Sequence, residues 1–369
     1  MLTVADVLRR HGPAYLERHA TTMPVEQKRV LRCIMACRTG ELGTVHYACR
    51  QCGQAHVMGR SCGNRHCPSC QSEKGGVWCE RQLARLLPCH YFLLTFTVPQ
   101  AFREFARRHP REAYAAMFRA SSDALKSLAA DPKRLGVTTL GFFGALHTWG
   151  RDLNYHPHLH YVVPGGGLDA EGQWRQTPTN FFLPCQPLSL LYRGKLRAAL
   201  AAEGLLDEVD DSVWTESWVV DCQAVGDGAA AVKYLAPYVF RVALSDKRIV
   251  ACDEQSVTFR YRRSGSQRWR TMRLDADEFV RRFLQHVLPR GLQKVRHYGF
   301  LSPRAGQSIE SLKWLAAAAL GLLFWLAWTE TVIAPPTPDF ACSECGGPLM
   351  RIRFEPPPPP RPIPTSQPP

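Results

Sequence analysis

The chain has 369 residues, of which 45% are hydrophobic and 21% charged, as in an ordinary soluble protein of two or three domains. The charge is unusual, because 46 Lys and Arg against 32 Asp and Glu give +14, an excess that favours a polyanionic partner. A membrane protein is disfavoured, because the most apolar stretch, Trp314 to Trp328, has 15 residues, whereas a spanning helix needs about 20. This stretch is predicted to be a buried or partner-facing helix. Residues 1–30 show no apolar signal-peptide core, so we expect a cytoplasmic protein without membrane contact.

Interleaved helices and strands follow from the hydrophobic pattern. Two short amphipathic helices open the chain, in VADVLRRHGPAYLERH and PVEQKRVLRCIMAC. Further helices are predicted over 101–130, with a break at Pro110, and over 188–204, 227–242 and 277–288. Strands are predicted in His90–Pro99, 137–146 and 158–163, and a hairpin in VTFRYRR with QRWRTMRL. Because this order lacks a regular βαβ rhythm, the predicted fold class is α+β. The tail from Pro356 to Pro369 is expected to be extended and disordered.

Half of the 14 cysteines lie between Cys33 and Cys70. In a reducing cytosol, paired cysteines are more often metal ligands than disulfides. Cys49 and Cys52 form one C-x2-C pair, and Cys67 and Cys70 form another. Two such pairs have the spacing of a zinc ribbon, so these four thiolates are predicted to bind one structural Zn2+.

Other residues near these pairs leave the ligand set open. Four of them are candidates for a second site, for replacing one ligand or for supporting the first site: Cys37, His46, Cys62 and His66. Cys342-x2-Cys345 is a lone knuckle, which either completes a site with distant ligands or is the remnant of one.

Basic residues are interspersed among the cysteines of the predicted ribbon: Arg50, Arg60, Arg65 and Lys74. They indicate contact with DNA phosphates, and a purely architectural ribbon is the alternative.

The segment HPHLH begins an apolar run that Pro164 ends. In a strand, alternate side chains share a face, so His158 and His160 project together, with His156 next in line. His158 and His160 are predicted to bind a divalent metal ion, and His156 is the candidate third ligand. A metal ion there would polarise a phosphodiester oxygen and absorb charge in the transition state.

Tyr234 and Tyr238, in AVKYLAPYVFR, are one helical turn apart, so both can face the same cleft. A tyrosine hydroxyl can attack phosphorus and leave a phosphotyrosine ester with a free 3′ hydroxyl. Pro237 lies between them and predicts either a helix kinked at this point or a new helix that begins at Pro237.

The stretch from Arg260 to Arg304 contains twelve Lys and Arg against three acids, with Tyr261, Trp269 and Tyr298 interleaved. This composition predicts a groove that follows a single DNA strand and stacks its bases. A solvated hairpin surface is the alternative.

Four segments between Cys37 and Ser302 resemble the HUH-type, two-tyrosine rolling-circle transposases of insertion sequences. In chain order they read SCGNRHCPSCQ, LLTFTVP, HTWGRDLNYHPHLHYVVPGGGL and KYLAPYVFRVALSDKRI. In this resemblance His158 and His160 match the family's HUH pair, which holds Mg2+ or Mn2+. Tyr234 and Tyr238 match its nucleophiles, and LLTFTVP matches its first strand motif, expected to be structural.

The resemblance also implies a domain plan: a zinc-binding domain over 1–85, and an HUH nuclease domain with a central antiparallel sheet over 88–305. Residues 306–369 are expected to hold the apolar helix, the lone knuckle and the tail. The implied activity is metal-assisted nicking and rejoining of single-stranded DNA at mobile-element ends, through a 5′-phosphotyrosine. The implied partners are element ends, target DNA and host replication factors, in the bacterial cytoplasm or at the nucleoid.

Three rival functions fit parts of this pattern. A plasmid relaxase or replication initiator would use the same chemistry, although the zinc ribbon and the lack of a helicase-like phosphate loop favour the transposase. A zinc-ribbon DNA-binding protein would lack catalysis altogether. A zinc hydrolase with a histidine triad would activate water and form no covalent intermediate.

Overall fold

The structure is a computed structural model that describes residues 2–71, 74–150, 152–240, 243–262, 266, 268–322 and 340–357. The predicted disordered tail lies outside these residues from position 358 onward, and so do positions 323–328 of the apolar stretch. No helix within the described ranges is long and apolar enough to cross a bilayer.

Helices and strands alternate along the chain much as the sequence pattern predicts. The helices are α1 (Val4–Arg18), α2 (Val25–Met35), α3 (Pro68–Gln71), α4 (Lys74–Ala84), α5 (Phe102–Arg108), α6 (Pro110–Ala130), α7 (Cys185–Ala202), α8 (Ser212–Thr215), α9 (Ala229–Phe240), α10 (Ala276–Leu284) and α11 (Ile309–Ala319). The strands are β1 (Thr44–Cys49), β2 (Ala55–Gly59), β3 (Tyr91–Thr97), β4 (Phe142–Trp149), β5 (Tyr155–Pro164), β6 (Gly166–Leu168), β7 (Trp174–Gln176), β8 (Val220–Ala224), β9 (Ile249–Cys252), β10 (Ser256–Arg262), β11 (Trp269–Asp275), β12 (Val295–Tyr298) and β13 (Leu349–Glu355).

The central sheet has five antiparallel strands in the order β12-β4-β5-β3-β8. Its inner strands are rich in β-branched and aromatic residues, which suit a buried pleated surface. Helices flank this sheet, so the predicted α+β class is confirmed. The predicted break at Pro110 and the β10–β11 hairpin are also present.

The two faces of the central sheet pack against different helices. Phe96, Leu159 and Tyr161 belong to the larger core, which also contains buried residues of α6 and α7. Phe143 and Val162 point to the opposite face and pack in a smaller core with residues of α9. Helix α9 therefore lies on the face opposite α6 and α7.

A third core joins the N-terminal helices to the basic hairpin. Val7 and Leu8 of α1 are buried in one cluster with Phe259 of β10 and Phe279 of α10. The Arg18 side chain forms an ion pair with Asp277 across this contact. The N-terminal helices are thus packed against residues that follow the central sheet in sequence.

A small sheet in the order β13-β1-β2 joins residues 44–59 to residues 349–355. Leu349 pairs with Cys49, and Glu355 pairs with Thr44. Residues predicted as a separate C-terminal region, 306–369, therefore contribute a strand to the N-terminal sheet. The remaining domain boundaries stay predictions.

Gly144 lets β4 and β5 approach closely. A Cβ atom at this position would lie 2.2 Å from the Tyr161 ring and 2.8 Å from the His160 carbonyl oxygen. Neither neighbour can give way easily, because both belong to the same buried strand.

We therefore expect Gly144→Ala to lower the free energy of unfolding by about 1–3 kcal/mol through overpacking. Gly194→Ala is the matched control, because Gly194 is in helix α7 and a Cβ there meets open space. That control should raise stability by up to about 1 kcal/mol, since alanine favours the helix. Urea unfolding followed by circular dichroism measures both, and an unchanged Gly144→Ala midpoint would contradict the close approach.

Candidate active site

Three histidines converge on the sheet face that carries α9. His158 and His160 alternate along β5 and share that face, and His147 of β4 pairs directly with His158. The ligand nitrogens of His147, His158 and His160, called here the histidine cluster, all lie within 4.8 Å of one another. This is close enough for three imidazoles to share one metal ion.

His147 replaces His156 as the third member of this cluster. His156 is not a member of this cluster, and the Arg103 guanidinium donates a hydrogen bond of 2.8 Å to its Nδ1. The sequence pointed to His156 and not to His147, because spacing along one strand cannot report what the neighbouring strand places opposite. The sequence does contain a signal for His147. If the strand with HTW is paired with the strand with HPHLH in a short hairpin, His147 lies opposite His158.

Two hydrogen bonds orient the β5 histidines. The Nδ1 of His158 donates to the carbonyl oxygen of His156 at 2.7 Å, which leaves Nε2 as the acceptor. The Nδ1 of His160 is 2.9 Å from Oγ1 of Thr95, its pairing partner on β3. Such outer contacts fix the tautomer and aim of a metal-binding imidazole. The LLTFTVP segment therefore supports the histidine cluster through Thr95.

Burial keeps the histidine cluster uncharged. Desolvation lowers the pKa of His147 and of His158 well below the usual value. It also lowers the pKa of His160 to about 4, with a smaller contribution from His156. Neutral imidazoles are the form that binds a metal ion.

Tyr234 lies beside the histidine cluster. Its ring centroid is 6.3 Å from that of His160, in an edge-to-face arrangement, and the side chain is 41% exposed. The neighbouring apolar residues Val232 and Leu235 anchor α9 on the sheet and so hold Tyr234 at this position.

Tyr238 occupies the next turn of the same helix. Helix α9 runs without interruption from Ala229 to Phe240, so no new helix begins at Pro237. The side chain of Tyr238 lies outside the described residues, and its role stays a prediction.

The two predicted zinc pairs do not lie together. The sulfur atoms of Cys67 and Cys70 meet those of Cys37 and Cys62, and this group is called the first cysteine cluster. Cys49 and Cys52 meet Cys342 and Cys345 instead, and this group is called the second cysteine cluster. The grouping of Cys49, Cys52, Cys67 and Cys70 in one ribbon was therefore wrong.

The physical reason for this difference is the sheet topology. Strand β13 pairs with β1 and brings the C-terminal knuckle beside Cys49, a contact that short-range spacing cannot reveal. Both clusters offer four sulfur atoms within 4.8 Å, a donor set that suits a structural Zn2+.

Residues near the first cysteine cluster fasten it to the segment 288–292 that follows α10. Arg65 donates hydrogen bonds to the carbonyl oxygens of Leu288, Pro289 and Leu292. The Nε2 of His66 accepts the backbone N–H of Leu288 at 3.0 Å. The sequence predicted that Arg65 contacts DNA phosphates. In the structure its guanidinium instead donates its hydrogen bonds to backbone carbonyl oxygens of the protein.

The other basic residues of the predicted ribbon differ in their surroundings. The Arg60 guanidinium lies over the Phe354 ring at 5.2 Å, and Arg50 is exposed. The side chain of Lys74 lies outside the described residues. The Nε2 of His46 lies 3.1 Å from the Glu355 carboxylate, and His46 is not part of either cysteine cluster.

The basic hairpin presents one exposed aromatic side chain. Trp269 is 49% exposed, and the Arg262 guanidinium lies 4.3 Å from its ring centroid. Tyr298 instead packs on Phe142 in the core, with ring centroids 4.6 Å apart. Tyr261 is half-buried against the N-terminal core. Of the three predicted stacking residues, only Trp269 is an exposed platform.

Known families match both parts of the chain. A family model described as "Putative transposase" matches residues 141–308, and one described as "Transposase zinc-binding domain" matches residues 7–98. The chain is 40% identical over 323 residues to "Putative transposase y4qJ" of Sinorhizobium fredii, which covers 82% of this chain and 80% of that protein. It is 28% identical over 339 residues to "Transposase for insertion sequence element IS801" of Pseudomonas savastanoi pv. phaseolicola, covering 86% and 81%. No solved structure matches the chain.

Fold, site and comparisons together define a transposase, an enzyme that cleaves and rejoins DNA and carries a zinc-binding domain at its N-terminus. The chain belongs to the IS91/IS801-type family of insertion-sequence transposases. DNA is therefore its partner, as the net charge of +14 indicates.

The buried neutral state of His160 predicts a pH dependence of stability. Its pKa is about 4 in the folded chain against 6.5 ordinarily, so its contribution is complete above pH 6.5 and lost as pH falls toward 4. In the metal-free protein, the stability difference between wild type and His160→Gln should shrink by about 3 kcal/mol over that range. Urea unfolding at both pH values tests this, and parallel pH profiles would contradict it.

Proposed function

We propose that this transposase is an HUH-type nuclease, which nicks and rejoins single-stranded DNA at mobile-element ends through a covalent 5′-phosphotyrosine. The observation that carries the proposal is the position of Tyr234, 6.3 Å from His160 and half-exposed at the edge of the histidine cluster. A nucleophile beside a candidate metal site on a rigid sheet is the arrangement that phosphodiester transfer needs.

The histidine cluster suits a catalytic divalent ion. His147, His158 and His160 would hold Mg2+ or Mn2+, which when bound polarises a phosphodiester oxygen and offsets the developing negative charge. The fit rests on neutral imidazoles, on Nε2 of His158 left as an acceptor and on ligand atoms within 4.8 Å. Thr95 keeps His160 in place during the reaction.

Tyr234 would perform the cleavage step. Its hydroxyl oxygen attacks phosphorus and loses its proton, while the bond from phosphorus to the 3′ oxygen breaks and that oxygen takes up a proton. The 5′ phosphate is then esterified to tyrosine. Attack by a 3′ hydroxyl reverses these changes and joins two strands, so bond energy is conserved.

Tyr238 is the proposed second nucleophile. It lies one helical turn beyond Tyr234 on α9, so one helix carries both hydroxyl-bearing residues. With two tyrosines, one strand can stay attached while another is cleaved, which would support rolling-circle transposition.

Basic residues beside the histidine cluster and on the β10–β11 hairpin suit a single DNA strand. Arg103 is held against His156, whose ring lies 5.0 Å from that of His158, so its guanidinium stands next to the histidine cluster. Trp269 with Arg262 offers a stacking platform on the hairpin. We also propose that the enzyme acts in the bacterial cytoplasm and at the nucleoid, with host replication factors as partners.

The tyrosine assignment predicts which variants lose the covalent product. With Mg2+ and a labelled single-stranded end oligonucleotide, the double variant Tyr234→Phe/Tyr238→Phe should form no protein–DNA adduct, because phenylalanine has no hydroxyl. Tyr47→Phe, a change in the small N-terminal sheet, is the matched control and should keep the wild-type yield. Denaturing gel electrophoresis measures the adduct.

An adduct from the double variant would contradict the assignment of Tyr234 and Tyr238 as nucleophiles. Cleavage without any adduct in the wild type would point to activated water, as in a metal hydrolase. No cleavage of any end oligonucleotide by the wild type would favour a DNA-binding role.

The histidine cluster predicts different effects for two neighbouring histidines. His147→Ala should weaken Mn2+ binding by more than the 10–100-fold that loss of an outer-shell contact causes, because it removes a ligand. His156→Ala should leave the affinity within a few-fold of wild type, because His156 bonds to Arg103. Isothermal titration calorimetry with Mn2+ distinguishes them, and equal losses would reinstate His156 as the third ligand.

A further inference from the structure

We infer that the second cysteine cluster binds a Zn2+ ion of its own and that this ion clasps the C-terminal strand β13 onto the N-terminal sheet. The site lies partly outside the matched zinc-binding domain, which ends at residue 98, and it does not depend on the proposed nuclease chemistry. Its four sulfur atoms come from two knuckles that are far apart in sequence, Cys49-x2-Cys52 and Cys342-x2-Cys345.

The two knuckles have the same backbone geometry. In the N-terminal knuckle, Cys49 N–H donates to Gln54 at 2.9 Å, and Gly53 N–H donates to Cys49 at 3.0 Å. In the C-terminal knuckle, Cys342 N–H donates to Gly347 at 2.8 Å, and Gly346 N–H donates to Cys342 at 2.9 Å. These acceptors are carbonyl oxygens at equivalent positions.

A glycine in the left-handed region follows the second cysteine of each knuckle. Gly53 has φ +75° and Gly346 has φ +73°. Glycine adopts this conformation without strain, and the turn directs both sulfur atoms of a knuckle to the same side. Matching C-x2-C-G turns that face each other are therefore a built four-thiolate site rather than a chance meeting.

Backbone N–H groups are aimed at the sulfur atoms on both sides. Gln51 N–H points at Cys49 Sγ over 3.3 Å, and Gly347 N–H points at Cys345 Sγ over 3.4 Å. His56 adds its Nε2 at 3.2 Å from Cys342 Sγ. The backbone N–H donors stabilise negative charge on sulfur, which is what thiolate ligands of Zn2+ carry.

Strand β13 needs more than its own packing to stay in place. Its side chains Met350, Ile352 and Phe354 are 42%, 56% and 45% exposed, so pairing with β1 buries little apolar surface. The ladder hydrogen bonds alone contribute little net stability, because water competes for the same groups. A metal ion bound by both knuckles supplies the missing free energy.

The two cysteine clusters differ in accessibility. Each cluster has two buried cysteines, but the other two are exposed in the second cysteine cluster, Cys52 and Cys345, and only half-buried in the first, Cys62 and Cys70. A chelator will therefore remove the ion of the second cysteine cluster first. This difference allows each ion to be followed separately in the full chain.

The test measures zinc content and amide exchange in the full-length protein. The Cys342→Ser/Cys345→Ser variant should fall from two Zn2+ per chain to one, by inductively coupled plasma mass spectrometry. Hydrogen exchange of residues 349–355 should accelerate at least tenfold, while residues 155–164 of the central sheet stay protected. Cys185→Ser/Cys222→Ser, two half-buried cysteines outside both clusters, is the matched control and should keep both ions.

A second measurement uses the wild-type chain, so it stands even when the variant does not fold. Brief EDTA treatment should release one Zn2+ in a fast phase, together with loss of protection in residues 349–355. The inference is overturned when the variant retains two ions, or when residues 349–355 stay protected after the fast phase.

Discussion

The antiparallel register of β4 with β5 is the constraint on which the site depends. It sets His147 opposite His158 and Ala145 opposite His160. Because side chains alternate across a strand, a slip by one residue would turn the β5 histidines into the large core and bring Leu159 to their face. Because Gly144 has no Cβ atom, the Tyr161 ring can lie against its backbone, and β4 and β5 can approach closely in this register. The neighbouring β3 then supplies Thr95 beside His160, and α9 supplies Tyr234 on the same face.

The cysteine clusters have a different role. They hold small, exposed segments of the chain against the rest of the protein. The N-terminal sheet has only three short strands and buries few side chains, so it cannot build a core of its own. The first cysteine cluster ties the end of α2 to the loop that contains Arg65, which in turn donates a hydrogen bond to the Leu292 carbonyl oxygen beyond α10. The second cysteine cluster brings the knuckle at Cys49 together with the knuckle at Cys342. Thiolate sites thus replace hydrophobic burial where the polypeptide offers little of it.

Local patterns predicted most of the secondary structure correctly. The apolar, β-branched run that became β3 and the break at Pro110 depend on residues close in sequence, so short-range physics was sufficient. The same holds for His158 and His160, whose alternation follows from the strand itself. Local patterns failed where a partner came from elsewhere, as with His147 and with the pairing of Cys49 to the C-terminal knuckle. Tyr298 was predicted to stack on DNA bases, but its ring packs on Phe142. This contact depends on the packing of the sheet and cannot be read from neighbouring residues in the sequence.

By itself, the sequence determined the α+β class, the basic charge, the C-x2-C knuckles and the HPHLH strand, and through its motifs the transposase family. Only the tertiary structure decided which cysteines share a site, that His147 joins His158 and His160, and that Tyr234 stands next to them. The physical reason is that residue spacing reports contacts within one strand or one helical turn. Contacts between strands are set by sheet register and helix packing, which bring together residues as far apart as Cys49 and Cys345.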